Sequence, residues 1–405
     1  MQALAGIRVA DFSHVMAGPF ASHLLGLLGA EVIKIEQPGM GDPMRNYGAD
    51  RRYDGMSPAF IGVNAGKKSI ALDLKDPDQF EVAGKIIERC DVVLENFRPG
   101  VMERLGLGYE AVKKLRPDIV YCSVSGYGQS GALRDWPAID NIVQATCGMM
   151  SLGGDSDAPP LRVGFPVVDT LTGQTAAFAI LAALLRRQQG GGGEYIDVAM
   201  FDATLSFMTS AVVPYLVTGK TLERTGNVGY SGQPSSALYT AGDGKMISLG
   251  VVQQHQFVML ADLLGRSDWL DDPRCCNPDQ RRAHSLAMLE ELGRELAKAT
   301  AAEWEKRMSA AGIPCGMVRN IVEAASMTHL AERDAILPLT IPGLPEREQV
   351  HIVNAGFRTS NDGPGVSEAP PRLGQHSRDI LAWLGYAAEE IDTLLAAKKG
   401  TNSTG

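Results

Sequence analysis

The residues with types and spacing suited to chemistry gather at one point, Asp169, Thr170 and Thr172, at the head of an apolar run from Gln174 to Leu185. The run is almost entirely Ala, Leu, Ile and Phe, mostly good helix formers, and Arg186 and Arg187 close it where a helix C-terminus favours cations. A buried helix is predicted within Pro166 to Arg187. Asp169, Thr170 and Thr172 carry the side-chain oxygens that cap free N–H groups, which puts Asp169 at or near the positive end of that helix. The expectation is a carboxylate that stays ionised and is held in one orientation. A plain helix cap is the other reading of the same residue.

The elements that must position this carboxylate belong to a chain of 405 residues, 45% hydrophobic and 21% charged, with room for two or more cores. A formal net charge of −9 argues against a general affinity for nucleic acid or an anionic membrane face. The N-terminus runs directly into a strand pattern without a basic region and apolar core, and no later stretch reads as an uninterrupted span of transmembrane length, so a cytoplasmic protein is expected. The six cysteines (Cys90, Cys122, Cys147, Cys275, Cys276, Cys315) form no C-x-x-C pair, and the adjacent Cys275 and Cys276 lack a second pair at zinc-site spacing. They read as reduced and mostly structural, and no metal is expected.

Strands are predicted at residues 7–12, 31–36, 91–96 and 118–125, with helices after the first (Gly18 to Gly29, Pro19 in its first turn) and before the third (78–89). This alternation implies an α/β fold: a large Rossmann-like domain whose parallel sheet is covered on both faces. Ligands of such sheets bind beyond the carboxyl ends of the strands, which places Ser13–Ala17, Asn96–Arg98 and Ser125–Gly128 around one crevice. The loop S-H-V-M-A-G-P after the first strand is not G-x-G-x-x-G, so a nicotinamide or flavin dinucleotide is not supported. Four glycines at 190–193 read as a surface turn, followed by a strand and a short helix. A large domain over 1–205, a Gly/Ser/Thr-rich linker over 206–230 and a smaller α+β domain over 231–325 are expected, the last holding a hairpin and three amphipathic helices (about 254–264, 280–298 and 301–311). Residues 326–405 read as a return arm and two C-terminal helices, around Gly385, that pack on the large domain.

The motifs L-A-G-I-R-V-A-D-F-S-H-V-M-A-G-P, G-A-E-V-I-K-I-E, G-K-K-S-I-A-L-D-L-K, D-V-V-L-E-N-F-R-P-G-V-M-E-R-L-G-L-G, Y-C-S-V-S-G-Y-G-Q-S-G, the Asp169 segment and P-R-L-G-Q-H-S occur in this order along nearly the whole chain. In them the chain resembles the family III CoA-transferases, to which the 2-methylacyl-CoA racemases are related. The resemblance implies that Asp169 is the nucleophile of a CoA transfer between an acyl-CoA donor, with succinyl-CoA common in the family, and a carboxylic acid acceptor. The covalent intermediates implied are an aspartyl anhydride and an aspartyl-CoA thioester. Backbone N–H groups near the helix start are one expected source of oxyanion donors.

The family's CoA site falls on Met16, Ala17, Leu72, Asp73, Leu74, Lys75, Asn96, Phe97, Arg98 and Arg104. Lys75, Arg98 and Arg104 have the charge to neutralise phosphates, and Asn96 and Phe97 follow a strand end where the nucleotide or pantetheine arm would lie. CoA enters as a substrate thioester; no permanently bound cofactor is implied. The racemases carry a histidine where this chain has Ile139, in P-A-I-D, which removes one of two proton-transfer groups and argues against racemisation. The oxalate-specific enzymes have a glycine-rich flap where this chain reads S-L-G-V-V-Q-Q-H, and a glutamine where it has Met16. Gln253, Gln254 and His255 are therefore candidates for contact with the acceptor acid, with a hairpin-to-helix junction as the other reading. The resemblance further implies a homodimer of two interlocked rings, with the active site between the large and small domains.

Overall fold

The computed structural model describes residues 2–48, 55–344 and 347–396. The last residues of the expected C-terminal region, 397–405, lie outside the described residues. Close packing divides the chain into two units: Met1–Cys147, Val163–Val213 and Thr328–Gly405 form the first, Gly148–Arg162 and Pro214–Met327 the second.

In the first unit the elements follow as β1 (Arg8–Asp11), α1 (Ala17–Leu27), β2 (Glu31–Glu36), α2 (Pro58–Asn64), β3 (Lys68–Ala71), α3 (Pro77–Glu88), β4 (Val92–Glu95), α4 (Val101–Arg104), α5 (Tyr109–Leu115), β5 (Val120–Ser125), α6 (Asp140–Thr146), α7 (Val167–Arg186), β6 (Glu194–Ala199) and α8 (Met200–Phe207). The six strands form one parallel sheet in the order β3-β2-β1-β4-β5-β6, with Ala10 of β1 opposite Ile33 of β2 on one side and Val93 of β4 on the other. Parallel strands covered on both faces need apolar residues at successive positions. Val9, Val32, Val92, Leu94 and Val120 pack with α1 and α7 on one face, while Ala10, Ile33, Ile70, Val93 and Tyr121 pack with α3 and α5 on the other.

The chain reverses direction across the sheet between β1 and β4, so the switch-point crevice of this topology opens between the loops that follow those two strands. The four-residue β3 carries too short an alternation to be read as a strand from sequence, and it forms the sheet edge. Its outer side is taken up by the P-R-L-G-Q-H-S segment. Ser69 N–H donates to His376 Nδ1 at 3.1 Å, His376 N–H returns a bond to the Ser69 carbonyl at 2.9 Å, and Gly374 N–H donates to Ser69 Oγ at 2.9 Å. That motif therefore closes an open edge.

The predicted apolar helix is α7. Extended to Gly191, it has the length and mean hydropathy of a membrane-crossing helix, which the sequence reading did not expect; half of its apolar window is buried. The burial is against α1 and the sheet, as in a core helix. Gly173 lets α1 and α7 approach: a Cβ there would lie 2.6 Å from the Ala17 carbonyl oxygen and 3.0 Å from Phe20 Cδ1. Backbone contact at that point puts the start of α1 one helical turn from Asp169.

Helix α9 (Thr209–Thr218) lies within the segment read as linker. The second unit then contains β7 (Leu238–Thr240), β8 (Met246–Leu249), α10 (Gln254–Leu264), α11 (Pro278–Ala283), α12 (Ser285–Leu296), α13 (Ala301–Ala310), β9 (Cys315–Met317) and α14 (Ile321–Ala325). The antiparallel sheet β7-β8-β9 packs with these helices around Phe257, Trp269, Leu292 and Trp304. The chain returns to the first unit through α15 (Thr328–Glu332), the antiparallel pair β10 (Ile336–Thr340) and β11 (Gln349–Val353), then α16 (Ser377–Leu384) and α17 (Ala388–Ala396). Cys90, Cys122 and Cys275 are buried thiols, and Cys276 and Cys315 are half-buried thiols.

Candidate functional site

Asp169 is the third residue of α7 and half-buried. It does not cap its own helix. Asp140 Oδ2, from the first turn of α6, accepts the N–H groups of Val168 at 2.7 Å and Asp169 at 3.1 Å. Asp140 Oδ1 accepts from Gln144 Nε2 at 2.6 Å, and Gln144 Oε1 accepts from Val163 N–H at 2.9 Å, which ties α6 to the approach to α7. The remaining amides of the first turn are also used: Val167 N–H donates to the Phe165 carbonyl and Thr170 N–H to the Pro166 carbonyl. Thr170 and Thr172 turn back on the chain, their hydroxyls donating to the Pro166 and Val168 carbonyls at 2.9 and 2.6 Å.

Two expectations are corrected. The first-turn amides of α7 are occupied, so they are not free oxyanion donors. Nor is Asp169 a carboxylate of ordinary acidity, because burial first and the Asp140 charge second push its carboxyl up to about 7. Its side chain makes no hydrogen bond among the described residues.

The loop Ser13–Met16 that leads from β1 into α1 is fixed from below. Asn96 holds His14 with two 2.8 Å bonds, its Oδ1 accepting from the His14 N–H and its Nδ2 donating to the His14 carbonyl. Asp42 Oδ1 accepts the Val15 N–H at 3.0 Å, and Lys34 Nζ donates to the Ser13 carbonyl at 2.7 Å. Val15 sits at φ 66°, a left-handed conformation that costs a β-branched residue on the order of 1–3 kcal/mol. Hydrogen bonds to charged groups contribute about 1.5–3 kcal/mol each, so Asp42 and Lys34 together outweigh the strain.

These charges belong to a buried cluster of three cations and three carboxylates: Lys34–Asp42 at 2.9 Å, Arg45–Glu36 at 2.6 Å and Lys67–Asp11 at 3.1 Å. Burial pushes the Asp11 carboxyl up, but Lys67, Lys34 and the hydroxyls of Ser13 and Ser22 outweigh it and hold the group down at about 2. The balance makes the cluster tolerable in the core. Met16 precedes α1 as its half-buried N-cap residue, and Ala17 is buried.

A cleft of about 230 Å³ opens beside this loop, lined by Ser13, His14, Glu36, Gln37, Met40 and Phe97 among others. The His14 and Phe97 rings lie 5.1 Å apart across its wall. The structure thus brings Met16, Ala17, Asn96 and Phe97 to one crevice mouth, with Asp169 one turn of α7 beyond the Ala17 contact. Leu72, Asp73, Leu74 and Lys75 lie at the carboxyl end of β3, two strands away. There Leu72 is buried, Leu74 packs on the core, and Lys75 is exposed on a turn whose N–H is accepted by Asp73 Oδ1 at 3.0 Å.

Arg98 and Arg104 are exposed and without a carboxylate partner among the described residues. Sequence reasoning missed Arg134. It closes on the same spot as Arg104: a Cβ on Gly100 would lie 3.0 Å from Arg104 Nη1 and 3.7 Å from Arg134 Nη2. Two guanidiniums facing one glycine with no carboxylate between them suit an anion. Arg134 lies in the stretch after G-Y-G-Q-S-G, where its residue type alone marks a surface charge. Gln253, Gln254 and His255 stand at the hairpin-to-helix junction of the second unit. Gln256 Oε1 reaches back to accept the Gln253 N–H at 3.0 Å, Gln254 donates to the Cys276 carbonyl at 3.0 Å, and His255 is exposed.

Removing one member of the buried cluster leaves an uncompensated carboxylate. Lys34→Met should lower unfolding stability by about 3–5 kcal/mol in denaturant titration, well beyond an ordinary core substitution; a loss below 1 kcal/mol would contradict the role given to the cluster. Asp169 gives a prediction of opposite sign. Its carboxyl titrates at 3.8 in a free chain and near 7 in the fold, so its charge costs nothing below pH 3.8, progressively more between, and its full cost above pH 7. Asp169→Asn should accordingly melt higher than wild type at pH 8.5 and at the same temperature at pH 3.5. A variant less stable than wild type at pH 8.5 would contradict the environment described.

Similarity to known proteins agrees with this geometry. The profile of CoA-transferase family III matches residues 4–377. A succinyl-CoA–D-citramalate CoA-transferase of Chloroflexus aurantiacus is 34% identical over 98% of this chain and 97% of its own length. An acetyl-CoA:oxalate CoA-transferase of Acetobacter aceti is 38% identical over 89% of this chain and 91% of its own. The crystal structure of a CAIB/BAIF family protein from Brucella suis superposes with a TM-score of 0.84 at 27% identity, covering 95% of this chain and 99% of that one. A six-stranded parallel sheet with this strand order, an aspartate at the head of its central core helix and a match over nearly the full length agree on one conclusion: the chain belongs to CoA-transferase family III.

Proposed function

We propose that Asp169 is the nucleophile through which this CoA-transferase moves CoA from an acyl-CoA donor to a short dicarboxylic acid. The observation that carries the reading is a half-buried carboxylate that receives no hydrogen bond from the described residues and faces a second carboxylate. Such an arrangement is poor for stability and suited to chemistry. The Asp169 carboxylate attacks the donor thioester carbonyl and expels CoA thiolate, forming a mixed anhydride. The thiolate then attacks the aspartyl carbonyl and expels the donor acid, leaving an aspartyl-CoA thioester. The acceptor carboxylate attacks that thioester and expels the thiolate, which takes the acceptor's acyl carbonyl from the second anhydride and returns Asp169 as a carboxylate. No proton is gained or lost over the cycle.

The raised affinity of Asp169 for a proton is also a raised nucleophilicity of its ionised form, provided the pH keeps it ionised. The CoA moiety is assigned to the crevice between β1 and β4, with Met16, Ala17, Asn96 and Phe97 along the pantetheine arm. Arg98, Arg104 and Lys75, joined by Arg134, meet its phosphates, and Leu72, Asp73 and Leu74 line the far end. The dicarboxylate acceptor is supported by the acids named for the relatives, D-citramalate and oxalate. Ile139 offers no group for proton transfer, which sets racemisation aside.

Incubation with succinyl-CoA or acetyl-CoA, followed by intact-mass measurement and hydroxylamine mapping, should place a CoA or acyl adduct on Asp169. Asp169→Asn should lose the adduct and at least about a thousand-fold in turnover. An adduct on another residue, or turnover kept in Asp169→Asn, would overturn the assignment.

A homodimer, of the interlocked kind that the family resemblance implies, is part of the same proposal. Its support here is the exposed apolar side of the first unit, where Phe178 and Leu185 of α7 are 74% and 57% exposed and Phe207 of α8 is 64% exposed. Sedimentation should show a dimer that persists on dilution until it unfolds. A stable folded monomer would contradict it.

A further inference from the structure

Asp140 does two things at once to the start of α7: its carboxylate accepts the amides of Val168 and Asp169, and it sets a negative charge beside the Asp169 side chain. The first is a cap that any side-chain oxygen of the right reach supplies. The second is unfavourable in the resting protein, and a neutral residue would avoid it. The titratable groups on the described elements packed against α7 are His23 on α1, Asp140 on α6, Tyr121 and Cys122 on β5, Glu194, Tyr195 and Asp197 on β6, and Asp202 on α8; of these, the neighbouring charge that raises the Asp169 carboxyl is Asp140, whose carboxylate sits on the Asp169 amide. Gln144, buried and bonded to both Asp140 and Val163 N–H, holds the Asp140 carboxylate in place.

From this geometry, and resting on the nucleophile reading above, we infer that Asp140 is a positioning residue whose charge favours the covalent intermediates of Asp169 over its free carboxylate. When Asp169 becomes an anhydride its negative charge passes to the expelled CoA thiolate, and when the anhydride becomes a CoA thioester that charge leaves with the released donor carboxylate. The repulsion from Asp140 is relieved, as is the cost of holding a buried charge. The cap remains, because the amides of Val168 and Asp169 are unchanged by acylation. Asp140 thus holds the helix head still through every step while disfavouring only the state in which Asp169 is ionised. The charge that makes a protonated Asp169 easier to form makes a thioesterified one easier to form by the same amount, since both are neutral.

The test compares wild type with Asp140→Asn, which keeps an oxygen for the two helix amides and removes the charge; Asp140→Ser is a second neutral cap should Asn disturb Gln144. At pH 8.5, with fixed ratios of succinyl-CoA to free succinate, intact mass gives the equilibrium ratio of CoA-thioester to free enzyme. The pH dependence of the labelling rate gives the ionisation of Asp169 independently. The neutral variants should show an equilibrium ratio about ten-fold lower and an ascending limb about one pH unit more acid, the two readouts shifting by the same factor. A cap without an electrostatic role would leave both at the wild-type value, and that result overturns the inference while the nucleophile assignment stands. A wild type that forms no adduct removes the nucleophile assignment, and this inference with it.

Discussion

The structure turns on one contact: the Asp140 carboxylate seated on the first amides of α7, beside Asp169. A helix start leaves N–H groups that must find acceptors, and here they are satisfied by a residue of another helix rather than by Asp169, the acid at their head. That exchange frees the Asp169 side chain from structural duty. It also leaves a half-buried carboxylate next to a like charge, and its proton affinity rises by burial and by that neighbour. An acid used only as a cap would gain stability from ionising; this one loses it.

Around that contact the scaffold is stiff at the loop that follows β1. The parallel sheet delivers the loops after β1 and β4 to one crevice, and six buried charges lock the first of them into a conformation that Val15 would not adopt alone. The absence of a side chain at Gly173 lets the carbonyl of Ala17 rest on α7, so the loop end and the helix that carries Asp169 are joined backbone to backbone. Geometry fixed in this way needs little reorganisation, which is how a preorganised site lowers a barrier. The cluster contributes through balance: three cations and three carboxylates are tolerable together, and the loss of any one is costly.

Much of this was legible in the sequence, because it rests on long, strongly patterned runs. E-V-I-K-I-E and D-I-V-Y-C-S-V-S read as buried strands, and the apolar stretch after Asp169 reads as a helix; all three elements form. The alternation of strands and helices predicted a parallel sheet, and the ordered family motifs predicted the family. Short or non-local features were not legible. The four residues of β3 hold too few alternations, and their strand character comes from β2 and from the His376 segment on its edge. Asp140 is separated from α7 by the whole of Gly148–Arg162, which packs in the other unit, and no local pattern announces a cap supplied from so far. For the same reason the ionisation of Asp169 was misjudged: helix position alone favours the charged form, whereas burial and Asp140, visible only in three dimensions, favour the neutral one. Arg134 gains its meaning only from standing beside Arg104 over Gly100.

The claim at the centre of this account is that Asp169 is a carboxyl group held far from its ordinary acidity. An infrared difference titration, wild type minus Asp169→Asn, follows the protonated carboxyl of this one residue directly in the ligand-free protein. The account predicts a midpoint near pH 7. A midpoint near 4, the value of a free aspartate, would show that burial and Asp140 do not act on the group, and the account of the site would fail.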